Sequence, residues 1–316
     1  MAFTPSKILI FGGTGTIGQF ITTSILRAKP AFEVLLFTSP NTASTKTELL
    51  SKWKAEGLSV VTGDVTNADD VLSAYQGVDT VISCVGRNVL QHQIELIRLA
   101  EETPSVKWFF PSEYGTDIEH NDKSPYEKPH QIKLKVRAFV RDQVKRLKVT
   151  YVVTGPYFDM WVNAIPGLEA AGGFVHDKKE AYVIGEGDDK VGFCTMWDVG
   201  KSVVASLRNP EAAFNKALKV QSFVVTPNEV LAEYEKQTGA NWKVTKTPLD
   251  AIRELEAKSW AEGNPKATGV TLRRIWAEGG TLYAKNDNEV VGLKEEDMEP
   301  LSLGVKRALD GRMNTI

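Results

Sequence analysis

The run Gly12-Gly13-Thr14-Gly15-Thr16-Ile17-Gly18 carries the strongest chemical signal in this 316-residue sequence. It follows a short apolar run and opens a helical pattern, the context in which a glycine-rich turn binds a dinucleotide. Glycines let the backbone approach a pyrophosphate, and the last one lets helix pack on strand. The free N–H groups and dipole of a helix starting near Thr16 hold the anion. A glycine turn without ligand is the competing reading. The second signal is Lys133. A lysine desolvated beside an apolar pocket has its pKa pulled down and can act as general acid or base. A helix-surface lysine, or one that binds the cofactor and only orients the nicotinamide ribose, is the alternative. Arg137 lies one turn further on the same helix face and reads as a link to an acidic partner. His130 and Tyr126 are weaker acid/base candidates, and His130 reads equally as a rim histidine. The Tyr-x-x-x-Lys pair that serves simple alcohol/ketone chemistry is absent, because Pro129 stands four residues before Lys133 and Gln131 four before Lys135.

The choice of dinucleotide rests on the end of the second apolar run. An NAD site carries Asp or Glu there, whereas this chain has Phe37-Thr38-Ser39. The hydroxyls of Thr38 and Ser39 suit a 2′-phosphate, and Lys46 can add charge, so NADP(H) is favoured. Lys46 also reads as a solvated helix lysine. Ser112-Glu113 closes the fifth apolar run, at the strand end where ligands bind in open α/β sheets. Aromatic and apolar residues cluster at Tyr157, Phe158, Met160 and Trp161, and again at Phe193 and Trp197. They suit a pocket for a flat aromatic substrate or a core between lobes; Trp197 reads as core.

The elements that must position these residues alternate. Strands are expected at Lys7–Phe11, Glu33–Phe37, Leu58–Thr62, Asp79–Ser83, Val106–Phe110 and Val149–Thr154. Helices are expected at Thr16–Lys29, Thr45–Glu56, Ala68–Gln76, Val89–Glu102 and Lys133–Leu147. The strands are apolar throughout, so both sheet faces are covered and the sheet is parallel. The right-handed crossover rule then gives a Rossmann-type, doubly wound α/β fold. Residues 1–155 form this dinucleotide-binding domain, and residues 156–316 a smaller α/β substrate lobe, partly returned to the first sheet. In the second half, helices are expected at Trp197–Arg208, Asn228–Thr238 and Leu249–Ala257, and strands near Tyr182–Ile184 and Lys219–Val225.

Composition excludes several classes. With 42% hydrophobic and 25% charged residues the chain is neither disordered nor fibrous. The 38 basic and 40 acidic side chains leave a net charge of -2, a poor match for nucleic acid. No apolar run approaches the ~20 residues of a membrane span, and the polar start at Met1 does not read as a signal peptide. Cys84 and Cys194 are too few for a disulfide framework, and the four histidines show no metal-ligand spacing. A reducing cytoplasm is the expected compartment, with a monomer or homodimer as the expected assembly. Both cysteines read as inert packing residues.

At Phe109-Phe-Pro-Ser-Glu-Tyr-Gly115 the chain resembles the isoflavone reductase-like family, the NmrA-like branch of atypical short-chain dehydrogenases. That family includes pinoresinol–lariciresinol and phenylcoumaran benzylic ether reductases. Gly12–Gly18 is similar to its glycine turn, and Thr45-Lys46-Thr-Glu-Leu-Leu50 to its 2′-phosphate segment. Val81-Ile-Ser-Cys84-Val85-Gly86 is similar to the strand and turn beside the nicotinamide ribose, and Lys133-Leu-Lys-Val-Arg137 to the helix bearing the catalytic lysine. The resemblance is good over residues 6 to 200 and thin beyond. It departs at Thr38, where the family often carries arginine. It implies an NADPH-dependent reductase of a small aromatic, phenolic or enone-like molecule. In it Lys133 takes a phenolic proton to give a quinone-methide-like acceptor, and His130, Tyr157, Phe158 and Trp161 contact substrate. Two other readings stay open: an NADP-sensing regulator, and a non-redox dehydratase or isomerase on the same scaffold.

Overall fold

The apolar runs become strands whose alternate residues serve opposite faces of one sheet. The computed structural model describes residues 3–121 and 128–316, for 128 and 129 the backbone only. Tyr126 therefore lies outside the described residues. Strands β1 (Lys7–Phe11), β2 (Glu33–Thr38), β3 (Leu58–Thr62), β4 (Thr80–Ser83), β5 (Trp108–Phe110) and β6 (Lys148–Val149) form a six-stranded parallel sheet in the order β3-β2-β1-β4-β5-β6. On β1, Ile8 and Ile10 enter one core with Ile21, Trp53 and Trp108, while Leu9 and Phe11 enter another with Phe37, Tyr75 and Phe109. All four strand residues are at most 1% exposed, each burial contributing about 1.5–3 kcal/mol. The order reverses between β1 and β4, which sets the ligand crevice at their carboxyl ends.

Helices α1 (Thr16–Arg27), α2 (Pro40–Thr45), α3 (Thr47–Ala55), α4 (Ala68–Ala74), α5 (Gln93–Glu102) and α6 (Lys128–Gln143) flank the sheet. Three differences from the expected elements have local causes. The helix expected at Thr45–Glu56 is two helices joined at Lys46, because Ser39 caps a turn opened by Pro40 and its hydroxyl accepts the Thr42 N–H at 3.1 Å. The helix expected from Val89 begins as a 3₁₀ turn, Arg87–His92. The sixth strand breaks at Thr150, whose hydroxyl bonds the Trp108 indole at 2.9 Å and the Ala213 carbonyl at 2.6 Å; the chain resumes as β7 (Tyr151–Val153).

The second half holds α7 (Phe158–Trp161), β8 (Gly173–Val175), β9 (Glu180–Ile184), β10 (Val191–Phe193), α8 (Met196–Arg208), α9 (Pro210–Ala213), β11 (Ala217–Lys219) and β12 (Phe223–Val225). It ends with α10 (Pro227–Thr238), β13 (Lys243–Thr247), α11 (Leu249–Ala261), α12 (Ala267–Ala277) and α13 (Leu301–Leu309). The run expected as one strand over Lys219–Val225 is two: β11 lies parallel to β7, and β12 antiparallel to β10. Helix α8 packs on α1, with Trp197 edge-on to Phe20 at 5.1 Å. No helix among the described residues is long and apolar enough to cross a membrane.

Candidate active site

One wall of the crevice is main chain. Gly12 follows β1 at φ +70°, and a Cβ there would meet the Cys84 carbonyl oxygen at 2.5 Å. A Cβ on Gly18 would lie 2.3 Å from the Gly12 carbonyl oxygen, so only glycine lets α1 sit this close to the turn. Gly15 is the N-cap of α1 and supplies no side-chain cap, leaving the first N–H groups of the helix available to an anion. Gly12, Thr14, Gly15, Thr16 and Ile17 line a cleft of about 500 Å³, together with Cys84, Val85 and Gly86 beyond β4. Gly18 packs behind them. Burial pushes the Cys84 thiol up to about 12, so it stays protonated and inert.

The facing wall is side chain. The loop after β5 is tied to the β4 turn by the Ser112 hydroxyl, which donates to the Val85 carbonyl at 2.9 Å, and to the start of α5 by the Ser112 N–H, which donates to Gln93 Oε1 at 2.6 Å. Arg137, 4% exposed on α6, reaches Glu113 at 3.2 Å, Asp117 at 3.1 Å and Glu119 at 3.0 Å. Burial opposes its charge, but the Glu113 and Asp117 carboxylates outweigh that and hold the guanidinium above its usual value. One turn earlier on the helix, Lys133 lines the cleft and its Nζ donates to the Glu113 carbonyl. Arg137 thus anchors the loop that holds Lys133.

His130 lines the cleft from the first turn of α6, where it is buried; the helix begins earlier than expected and contains it. The Tyr157 hydroxyl donates to the Tyr114 carbonyl, and burial pushes this phenol well above its ordinary value, so it remains a proton donor. Met160, Leu272 and Trp276 complete the cleft, the Trp276 indole donating to Thr116 Oγ1 at 3.3 Å. Leu272 and Trp276 lie on α12, a helix the sequence reading did not find.

Phe158 and Trp161 are corrected: neither lines the cleft. On α7 they turn inward and pack with Phe193, at 5.7 and 4.7 Å between ring centres, while Tyr157 and Met160 face the cleft. Phe158 is completely buried. Thr38 is buried and Ser39 is engaged as a helix cap; neither borders this cleft. Lys46 does meet the turn: with Thr14, Thr16, Gln19 and Asn314 it lines an adjoining cleft of about 440 Å³. Asn314 comes from the far end of the chain and had no sequence signal.

Comparison with known proteins follows the same residues. A model described as the NmrA-like family matches residues 4–269. An isoflavone reductase homolog of Solanum tuberosum is 31% identical over 250 residues, 78% of this chain and 79% of that protein. The crystal structure of an isoflavone reductase superposes with a TM-score of 0.80 at 23% identity, covering 96% of this chain and 100% of that one. A Vitis vinifera leucoanthocyanidin reductase, solved as a binary complex with NADPH, gives 0.79 at 20% identity, covering 96% and 100%. At such identity the two structures speak for the fold.

Proposed function

The chain belongs to the NmrA-like family, and on that premise we propose that it is an NADPH-dependent reductase of a small phenolic or enone-like molecule. The observation that carries this reading is one cleft holding both a bare glycine turn and the ammonium of Lys133. The relatives' names supply the substrate class: an isoflavone reductase homolog and a leucoanthocyanidin reductase, the latter solved with NADPH.

The glycine turn fits a pyrophosphate, since no side chain intrudes at Gly12, Gly15 or Gly18 and α1 starts uncapped. Lys46 supplies the positive charge for a 2′-phosphate. When bound, NADPH supplies hydride. The remaining work falls to the chain. Cys84, Val85 and Gly86 support the nicotinamide ribose. Lys133 Nζ, held by the Glu113 carbonyl, moves a proton at the substrate oxygen as general acid or base. His130 and Tyr157 contact the substrate. Residues 1–155 carry the cofactor wall and Lys133, while residues 156–316 add Met160, Leu272 and Trp276, which keep water out.

The test is titration with NADPH and NADH, read by nicotinamide fluorescence, followed by a panel of phenolic ethers and conjugated ketones. NADPH is expected to bind in the micromolar range with NADH far weaker. Lys133→Ala is expected to keep NADPH binding and lose about 10²–10⁴ in turnover. Failure of both nucleotides to bind would end this reading. Substrate conversion without NADPH consumption would replace it with a non-redox activity.

A further inference from the structure

A second buried cation lies outside the cleft. Arg273, on α12 beside Leu272, is 4% exposed. Its Nη2 donates to the Asn163 carbonyl at 2.7 Å, and its guanidinium lies 5.4 Å from the centre of the Trp161 ring. Its Nη1 is buried and meets no hydrogen-bond acceptor. Burial alone pulls its pKa down, to about 9, with no carboxylate contributing. Other arginines with little exposure are compensated: Arg137 by Glu113 and Asp117, Arg274 by Glu256 and Glu278, Arg307 by Glu299 and Asp159. A buried guanidinium stays charged at neutral pH and demands a counter-charge or a full set of acceptors.

The space for that counter-charge is present. Arg273 borders a cavity of about 20 Å³, lined also by Gly172, Tyr182, Ile184, Pro227 and Ala277. Gly172, at φ +92°, leaves bare backbone here: a Cβ on it would stand 3.7 Å from Nη1. The volume admits one water-sized species, which excludes phosphate, sulfate and organic acids. Asp189 also borders the cavity but is exposed on its turn and makes no ion pair with Arg273.

We infer that Arg273 holds a monatomic, monovalent anion such as chloride in this cavity. The ion completes the guanidinium's partners and fixes α12 against Trp161, and α12 presents Leu272 and Trp276 to the cleft. The inference does not rest on the proposed reaction.

Two measurements on the full chain test it. Crystals of the wild type soaked in bromide are expected to show an anomalous peak within hydrogen-bond reach of Nη1. Thermal melting in chloride is expected to lie roughly 2–4 °C above melting in gluconate at equal ionic strength, once chloride exceeds its dissociation constant about tenfold. Arg273→Met is expected to abolish that difference and Asp189→Asn to keep it. Water density without anomalous signal, or equal melting in the two salts, overturns the inference. A chloride effect that appears only in Asp189→Asn overturns it as well and makes Asp189 the counter-ion. Should Arg273→Met fail to fold, the bromide peak in the wild type decides alone.

Discussion

The two walls of the cleft are built on opposite principles. The cofactor wall is defined by missing side chains: a Cβ at Gly12 or Gly18 would collide with backbone. The facing wall, to which we assign the substrate, is defined by side chains brought from distant segments, with Lys133 and His130 on α6, Tyr157 and Met160 around α7, and Leu272 and Trp276 on α12. An anion is held by N–H groups that any sequence possesses, provided nothing covers them. A proton must be moved by a particular atom, and that atom needs a rigid mount. The mount is the Arg137 cluster, whose Glu113 carbonyl also receives Lys133. Breaking it is expected to have the largest effect. Arg137→Met leaves Glu113 buried without its guanidinium and Asp117 with Lys219 at 3.6 Å, a loss of about 3–5 kcal/mol in denaturant unfolding. In the fraction that folds, NADPH affinity should hold while turnover falls. Unchanged turnover at reduced stability would show that Lys133 is mounted some other way.

The converse substitution attacks the main-chain wall. Gly18→Ala places a methyl group 2.3 Å from the Gly12 carbonyl oxygen, and backbone must yield. The expected cost is about 1–3 kcal/mol of stability, with NADPH affinity weakened more than tenfold and the surroundings of Lys133 intact. Wild-type affinity in this variant would mean that the turn does not touch the nucleotide, and the contrast between the walls would collapse.

The same contrast explains what was legible beforehand. The turn, β1 and α1 are contiguous, so spacing alone reveals them, and the apolar strands announce a parallel sheet. Lys46 stands at the junction of two helices rather than within one, because Ser39 and Pro40 start a separate turn ahead of it. The spacing of Tyr157, Phe158, Met160 and Trp161 in and beside one short helix does not reveal which pair faces inward, so the burial of Phe158 and Trp161 is set by the tertiary fold. Helix α12 is illegible in the sequence for a related reason. Its buried apolar residues Val270 and Ile275 stand five apart, on different sides of the helix, while Leu272 and Trp276 line the cleft, so no single apolar face gives a clear period. Asn314 reaches the turn only through the tertiary fold.

Trp276 offers the finest division between the walls, with the smallest expected effect. It lines the cleft but lies far from the glycine turn in sequence, and its indole N–H bonds Thr116 on the Lys133 side. If the walls are separable, Trp276→Ala should leave the NADPH dissociation constant unchanged. It should raise the KM for an aromatic substrate about tenfold, equivalent to about 1.4 kcal/mol, with a smaller change in kcat. Parallel losses in KM and in NADPH binding would mean that α12 supports the cofactor as well, and the cleft would have to be treated as one surface. An unchanged KM would place the substrate elsewhere in the cleft, against His130 and Tyr157 alone. Trp276→Phe should restore most of the affinity, because it returns an aromatic face without the indole N–H. If only the tryptophan serves, the bond to Thr116 rather than ring contact sets the substrate wall.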